Sequence, residues 1–270
     1  MALGGRICPY CKRYTAKDDP RCIYCNQFLG PQWVTEAMKI LNSNGLVATN
    51  LIAGACVIMF FVEVAMTVAT AKTPPSPMSF LFFRGISGSV LDRLGALSTD
   101  AHEPWRLLAS CFLHMGAAHL LMNMWALYDF ARALEPSIKW PRFFVSFVVT
   151  GIIGFAVSEW WYGQKDYLTA GASGAVFGVQ GLLLGDFLSK KDPRFQQFLW
   201  RTIIYSAIFY YAIGTNQAAH MGGLAAGIGI GFLFGKESRP WYREKYFKAA
   251  AFVCMLLIVV TFAFVVRNAW

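Results

Sequence analysis

LIAGACVIMFFVEVAMTVATA, residues 51–71, runs for 21 residues with one charged side chain, Glu63. About 17–25 apolar residues carry a helix across the ~30 Å hydrocarbon core of a bilayer. No water reaches backbone N–H and C=O groups there, so such a run must satisfy them within itself, as a helix. Outward from it lie six further apolar runs: Ala117–Arg132, Phe143–Trp161, Ser173–Leu188, Phe198–Ile213, Ala218–Phe234 and Ala249–Val266. Their Leu, Phe, Ala and Gly content lacks the alternation of barrel strands. Charged residues make up 14% of the chain and the mean hydropathy is +0.44, against about 25% charged in soluble domains. The predicted fold class is an all-α polytopic membrane protein. The stretch Lys72–Gly116, with Pro74, Pro75, Pro77 and the apolar Met78–Phe83, is too long for a plain connector. Short helices lying partly in the membrane interface are predicted there.

The net charge of +9 does not indicate nucleic acid, because the Lys and Arg lie in the connectors between apolar runs. With the N-terminus in the cytosol, 18 of the 24 fall on the cytosolic side. The other six are Lys72, Arg84, Arg93, Arg106, Lys165 and Arg267, four of them in the long first loop. The positive-inside rule favours this orientation, which places Trp270 outside and the chain in a cell membrane. Met1–Arg6 lacks the basic-then-apolar pattern of a secretory signal.

The polar N-terminus carries Cys8-x2-Cys11-x10-Cys22-x2-Cys25. Each C-x2-C pair presents two thiolates through a tight turn, and four thiolates make a closed tetrahedral zinc site. Two disulfides are the competing reading, disfavoured by a reducing cytosol. A redox role lacks a surrounding thioredoxin-like pattern. Structural zinc is predicted, supplying folding energy that so small a segment cannot draw from a core. Cys56, Cys111 and Cys254 read as small buried hydrophobes. The predicted organisation is a zinc-ribbon-like cytosolic module over 1–30 and a linker over 31–46, partly helical. A catalytic membrane domain over 47–235 and a connector with a seventh helix over 236–270 follow.

Polar residues at membrane depth are costly and mark function. Three sites carry them. His114 precedes the His119-x3-Asn123 pair, which shares a helix face. Gly171-Ala-Ser173-Gly174 opens the fourth run, and His220 opens the sixth. Singly, such a serine or histidine is an ordinary packing residue. Ser173, however, lies 17 residues before Lys190, and His220 lies 16 before Lys236. At 1.5 Å per residue both sit roughly 24–26 Å above the inner surface, at matched depth. Gly174, Gly178, Gly181 and Gly185 on one run, and Gly223, Gly227, Gly231 and Gly235 on the other, allow close helix approach in lipid. His220 can then serve as base for Ser173. The Ser173 N–H, Asn123 amide and His119 can act as oxyanion donors. No acidic third member is evident, so a dyad is inferred.

These motifs, with Trp105-Arg106 in the first loop, resemble the rhomboid family of intramembrane proteases, over about Leu51 to Gly235. The resemblance implies a six-helix core with a loop lying in the outer leaflet. It implies a Ser173–His220 dyad with oxyanion contacts from His119 and Asn123, and no cofactor for catalysis. Phe177 matches an aromatic ring that stacks near the catalytic histidine. Trp105 and Arg106 look like loop-stabilising residues, Glu135 matches a structural glutamate, and His114 orders the loop. The cysteine segment is similar to a zinc module fused to some microbial rhomboids, and the seventh helix to the six-plus-one variant. The implied activity is endoproteolysis of single-span transmembrane proteins within the lipid bilayer. Two other readings compete. An inactive rhomboid-fold binding protein typically lacks the serine or histidine. A transporter would carry more charge deep in the bundle. Glu63 is unusual within the first run: either it faces a polar interior or the helix boundary is shifted.

Overall fold

The computed structural model describes residues 5–8, 11–16, 19, 21–26, 29, 44–72, 75–82, 85–98, 103–163, 167–213, 215–237 and 243–269. Residues 31–43 of the predicted linker over 31–46, and Lys17, Pro74, Phe83, Arg84, Lys165, Arg239 and Trp270, lie outside the described residues. The chain divides into two compact units, 1–47 and 48–270.

The first unit contains a two-stranded antiparallel hairpin, β1 (Gly5–Ile7) and β2 (Tyr14–Ala16), with Arg6 opposite Thr15. Between the strands the chain turns at the first cysteine pair. The Lys12 N–H donates to the Cys8 carbonyl at 2.9 Å, and the Asn26 N–H donates to the Cys22 carbonyl at 2.8 Å. Lys12 and Asn26 each follow the first cysteine of their pair by four residues and both adopt positive φ, 61° and 55°. The two C-x2-C segments are thus repeats of one turn, in which a left-handed residue reverses the chain behind two thiols. Cys8, Cys22 and Leu29 form the small buried core.

The second unit is helical. Seven long helices correspond to the seven apolar runs: α1 (Val47–Thr70), α4 (Ala117–Ile138), α5 (Trp140–Tyr162), α6 (Ser173–Lys190), α7 (Arg194–Ile213), α8 (Gln217–Lys236) and α9 (Glu244–Ala269). Among the described residues, four stretches, Val47–Thr70, Trp140–Tyr162, Gln217–Lys236 and Glu244–Val265, are long and apolar enough by themselves to cross a membrane. The others carry more polar residues. The first loop holds a 3-10 turn (Pro77–Leu81), α2 (Gly88–Arg93) and α3 (Arg106–Ala109). Its strand β3 (Leu97–Ser98) pairs antiparallel with β4 (Leu168–Thr169), just ahead of α6.

Several helix ends differ from those predicted, for local reasons. α7 starts at Arg194 rather than Phe198. The Asp192 carboxylate accepts the Arg194 N–H at 2.9 Å, and Pro193 stands directly before the helix, where a missing N–H costs nothing. α4 continues past Arg132 to Ile138 with Pro136 inside its last turn, and the Lys139 N–H closes it on the Glu135 carbonyl at 2.8 Å. α1 begins where Glu135, near the end of α4, accepts the N–H groups of Ala48 (2.7 Å) and Thr49 (3.1 Å) and the Thr49 hydroxyl (2.6 Å). A carboxylate from another helix thereby satisfies N–H groups that a helix start leaves open.

The centre is the pair α6 and α8, with α5 against both. Their glycines interlock reciprocally. A Cβ on Gly223, Gly227 or Gly231 would strike the carbonyl of Gly174, Gly178 or Leu182 across the interface. A Cβ on Gly181 or Gly185 would strike the carbonyl of Leu224 or Ile228. Lipid offers no hydrophobic drive between helices, so dispersion contact at this separation holds the pair.

Candidate active site

α6 starts at Ser173, two residues after Gly171, whose φ of +142° is a backbone state that side chains rarely adopt. The Gly171 N–H donates to the Ser110 carbonyl at 2.9 Å, which ties the approach to α6 to the end of the first loop. As the first residue of a helix, Ser173 has an N–H with no intrahelical acceptor, at the positive end of the helix dipole. α8 starts at Gln217, and His220 occupies its first turn. Asn216 caps it by accepting the Ala219 N–H at 3.0 Å, while its amide donates to Ser158 on α5 at 2.7 Å and to Thr169 on β4 at 3.3 Å. Asn216 thereby sets the height at which His220 enters.

The glycine contact brings the two starts together. His220 Nε2 lies 2.9 Å from Ser173 Oγ. The Phe177 ring, one turn after Ser173, stacks on the imidazole at 4.2 Å between centroids and 11° between planes. His220 is 2% exposed, and its Nδ1 has no hydrogen-bond partner among the described residues. With Nε2 accepting from the serine hydroxyl, the proton of the neutral ring is on Nδ1.

His119 stands across from Ser173. A Cβ on Gly171 would fall against His119 Nε2 at 2.8 Å and 3.7 Å from Ser173 Oγ, so the bare glycine leaves open the space between them. Asn123 is buried and its amide donates to the His119 carbonyl at 3.0 Å, one helical turn back, with a second N–H to spare. Ser173, His220, His119, Asn123 and Phe177 all border one cavity of about 490 Å³.

The other residues singled out in the membrane region do not line this cavity. Arg106 is buried and donates to the Asp92 and Ala96 carbonyls, each at 2.8 Å, and to the Asp92 (3.0 Å) and Glu103 (2.7 Å) carboxylates. The Arg106 hydrogen bond holds the Glu103 carboxyl below the ordinary glutamate range. Trp105 covers Gly95, where a Cβ would strike its ring, and meets Phe264 of α9 edge-on at 6.0 Å. His114 is fully buried, and its ring meets that of His119 edge-on at 5.2 Å. Gly174 receives Gly223, as described. Asn216 and Ser110 went unnoticed in the sequence. Asn216 had a readable signal, an Asn directly before an apolar run, as at a helix N-cap. Ser110 had none, since its backbone carbonyl makes the contact.

In the N-terminal unit the four cysteine sulfurs lie within 4.8 Å of one another, with Cys8–Cys25 at 3.7 Å and Cys11–Cys22 at 3.6 Å. Disulfide sulfurs stand about 2.05 Å apart. Four sulfurs about 2.3 Å from one zinc, at tetrahedral corners, stand ~3.8 Å from each other. The arrangement fits a tetrahedral metal centre.

Fold and site together define a polytopic helical membrane protein with a serine–histidine pair at the facing starts of two tightly packed helices. A family profile, the Rhomboid domain, matches residues 101–237. The chain belongs to the rhomboid family. It is 31% identical over 172 residues to RHOMBOID-like protein 6, mitochondrial, of Arabidopsis thaliana, covering 60% of this chain and 55% of the relative. To YdcA of Bacillus subtilis (strain 168) it is 34% identical over 135 residues, 48% of this chain and 67% of the relative. To Rhomboid protease GluP of the same bacterium it is 35% identical over 129 residues, 46% of this chain and 25% of the relative. The chain spans about half the length of the plant relatives it matches.

Proposed function

We propose that this protein is an intramembrane serine endopeptidase that cuts transmembrane helices, with Ser173 as nucleophile and His220 as its base. The observation that carries this reading is the 2.9 Å contact between His220 Nε2 and Ser173 Oγ, facing the cavity. In the first step Oγ attacks the scissile carbonyl carbon while its proton passes to Nε2. The carbonyl oxygen becomes an oxyanion, received by the Ser173 N–H, His119 Nε2–H and the free Asn123 N–H. The imidazolium then returns its proton to the amide nitrogen, the C–N bond breaks, and an acyl ester remains on Ser173. Water attacks that ester, giving its proton to His220, which passes it to Ser173 Oγ as the C–Oγ bond breaks and the acid leaves. No carboxylate is required at Nδ1, because the stacked Phe177 ring fixes the imidazole plane.

Substrates are single-span membrane proteins, oriented with this chain's N-terminus in the cytosol. The site then lies a few ångström below the outer surface, and cuts fall near the outer ends of substrate helices. A peptide bond inside an intact helix is covered by its own turns, so helix-weakening residues near the cut favour attack. Cys8, Cys11, Cys22 and Cys25 hold one structural zinc in a cytosolic module, with no part in the chemistry at Ser173.

The test is labelling of the detergent-solubilised protein with a fluorophosphonate, which reacts with activated serines. The native chain is expected to be labelled and Ser173→Ala not. Equal labelling of a folded Ser173→Ala protein refutes the assignment. The binding-protein reading predicts no labelling of either.

A further inference from the structure

Glu63 sits in the middle of α1, fully buried, among Val, Met and Phe residues of a membrane-spanning run. A carboxyl group there is costly unless it makes a specific contact. It makes one: Glu63 Oε1 accepts the backbone N–H of His114 at 2.9 Å. Oε2 has no hydrogen-bond partner among the described residues, so the hydrogen bonding of this side chain is directed at His114.

His114 lies between the first loop and α4, and its segment is pinned elsewhere too. The Met115 carbonyl accepts the Gly85 and Ile86 N–H groups at 2.6 and 2.9 Å. His114 Nδ1 lies 3.3 Å from the Phe112 carbonyl, which can only accept, so the ring proton is on Nδ1. This fixes the rotation of the ring. Its edge-on contact with His119 passes that rotation to the imidazole that borders Gly171 and Ser173.

We infer that Glu63 is a positioning residue for the oxyanion side of the site, acting through the His114 backbone and ring on His119. The inference rests on the protease reading. Its task is acceptance of one N–H, which a neutral amide oxygen also performs. Glu63→Gln should therefore work and Glu63→Leu should not.

The experiment measures cleavage of one transmembrane substrate by the full chain in liposomes, with thermal unfolding followed in parallel. Glu63→Leu is expected to lower kcat on the order of tenfold, a fraction of the 10²- to 10³-fold cost of deleting an oxyanion donor. KM should stay nearly unchanged, because the oxyanion exists only after attack. Glu63→Gln is expected to restore most of kcat. In a His119→Ala background, Glu63→Leu should add less than about twofold, since residues acting through one contact do not add. Should Glu63→Leu not fold, His114→Ala replaces it: it keeps the carboxylate bond, loses the ring, and should show the same kcat loss and non-additivity. A folded Glu63→Leu with native kcat, or a full additive loss with His119→Ala, overturns the inference. An inactive native chain, or an active Ser173→Ala, instead overturns the protease reading, so the two failures are distinguishable.

Discussion

In the proposed mechanism Ser173 and His220 act on one proton and one bond, so removing either should disable the same event. Ser173→Ala and His220→Ala are each expected nearly to abolish cleavage of a transmembrane substrate, and the double variant should be little worse. Asn123→Ala should be milder, because the Ser173 N–H and His119 remain as donors, and its loss should fall on kcat rather than KM. Native activity in Asn123→Ala would dismiss that residue from the oxyanion site while leaving the pair intact. Gly171 carries a separate expectation. An alanine there must adopt φ of +142° and place its methyl against His119 in the space beside Ser173. Gly171→Ala should lose labelling by a fluorophosphonate; a folded Gly171→Ala protein labelled at the native rate would show that this space is not where the reacting carbonyl sits.

Among the elements, the glycine contact of α6 with α8 sets the distance on which the chemistry depends. Gly227 faces the Gly178 carbonyl with no room for a Cβ, so Gly227→Leu must push the helices apart. It is expected to destabilise the protein by at least ~1–3 kcal/mol and to remove activity; a stable, active Gly227→Leu enzyme would refute the packing. Glu135→Ala leaves the Ala48 and Thr49 N–H groups unmet inside the protein, at about 1–3 kcal/mol for each buried group, and should lower the unfolding temperature. The seventh long helix, α9, is held at both ends. At one end Arg142 of α5, 3% exposed in its side chain, pairs with Glu237 and Glu244 and lies over the Phe247 ring at 4.5 Å. At the other, Phe262 and Phe264 meet Phe112 and Trp105 of the first loop edge-on. The first loop also carries the Ser110 carbonyl that holds Gly171, so α9 braces the frame of the site as well as adding a span.

Over the whole molecule, charge and metal make separate predictions. With 18 of 24 basic residues assigned to one side, a membrane-impermeant thiol reagent applied to intact cells should leave the N-terminal cysteines unlabelled; labelling would reverse the orientation. Metal analysis should give one zinc per chain, lost in the Cys8→Ser plus Cys11→Ser variant. The cysteines lie in their own compact unit, residues 1–47. Their loss should therefore spare fluorophosphonate labelling at Ser173, and abolished labelling in a folded membrane unit would show that the two units are coupled.

Much of this architecture could be read without coordinates, because the membrane makes hydrophobicity alone decisive. A run such as 51–71 has no option but a helix, and the count from Ser173 to Lys190 and from His220 to Lys236 puts the two residues at one level through a fixed rise per residue, as their 2.9 Å contact has them. The cysteine spacing likewise names its chemistry, since two C-x2-C turns suit one ion. What remained were contacts between residues far apart in the chain. Glu63 reads only as an anomaly until its oxygen is found 51 positions away on the His114 N–H. Glu135 holds the start of α1 across 87 positions. Asn216 joins α8 to α5 and β4, and the Ser110 carbonyl sets Gly171 without any signature in its side chain. The sequence by itself determined which runs are helices and the residue types at the site, because each follows from local composition. Only the tertiary structure decided which polar groups meet, because a hydrogen bond between distant segments depends on how helices pack, and backbone groups carry no sequence.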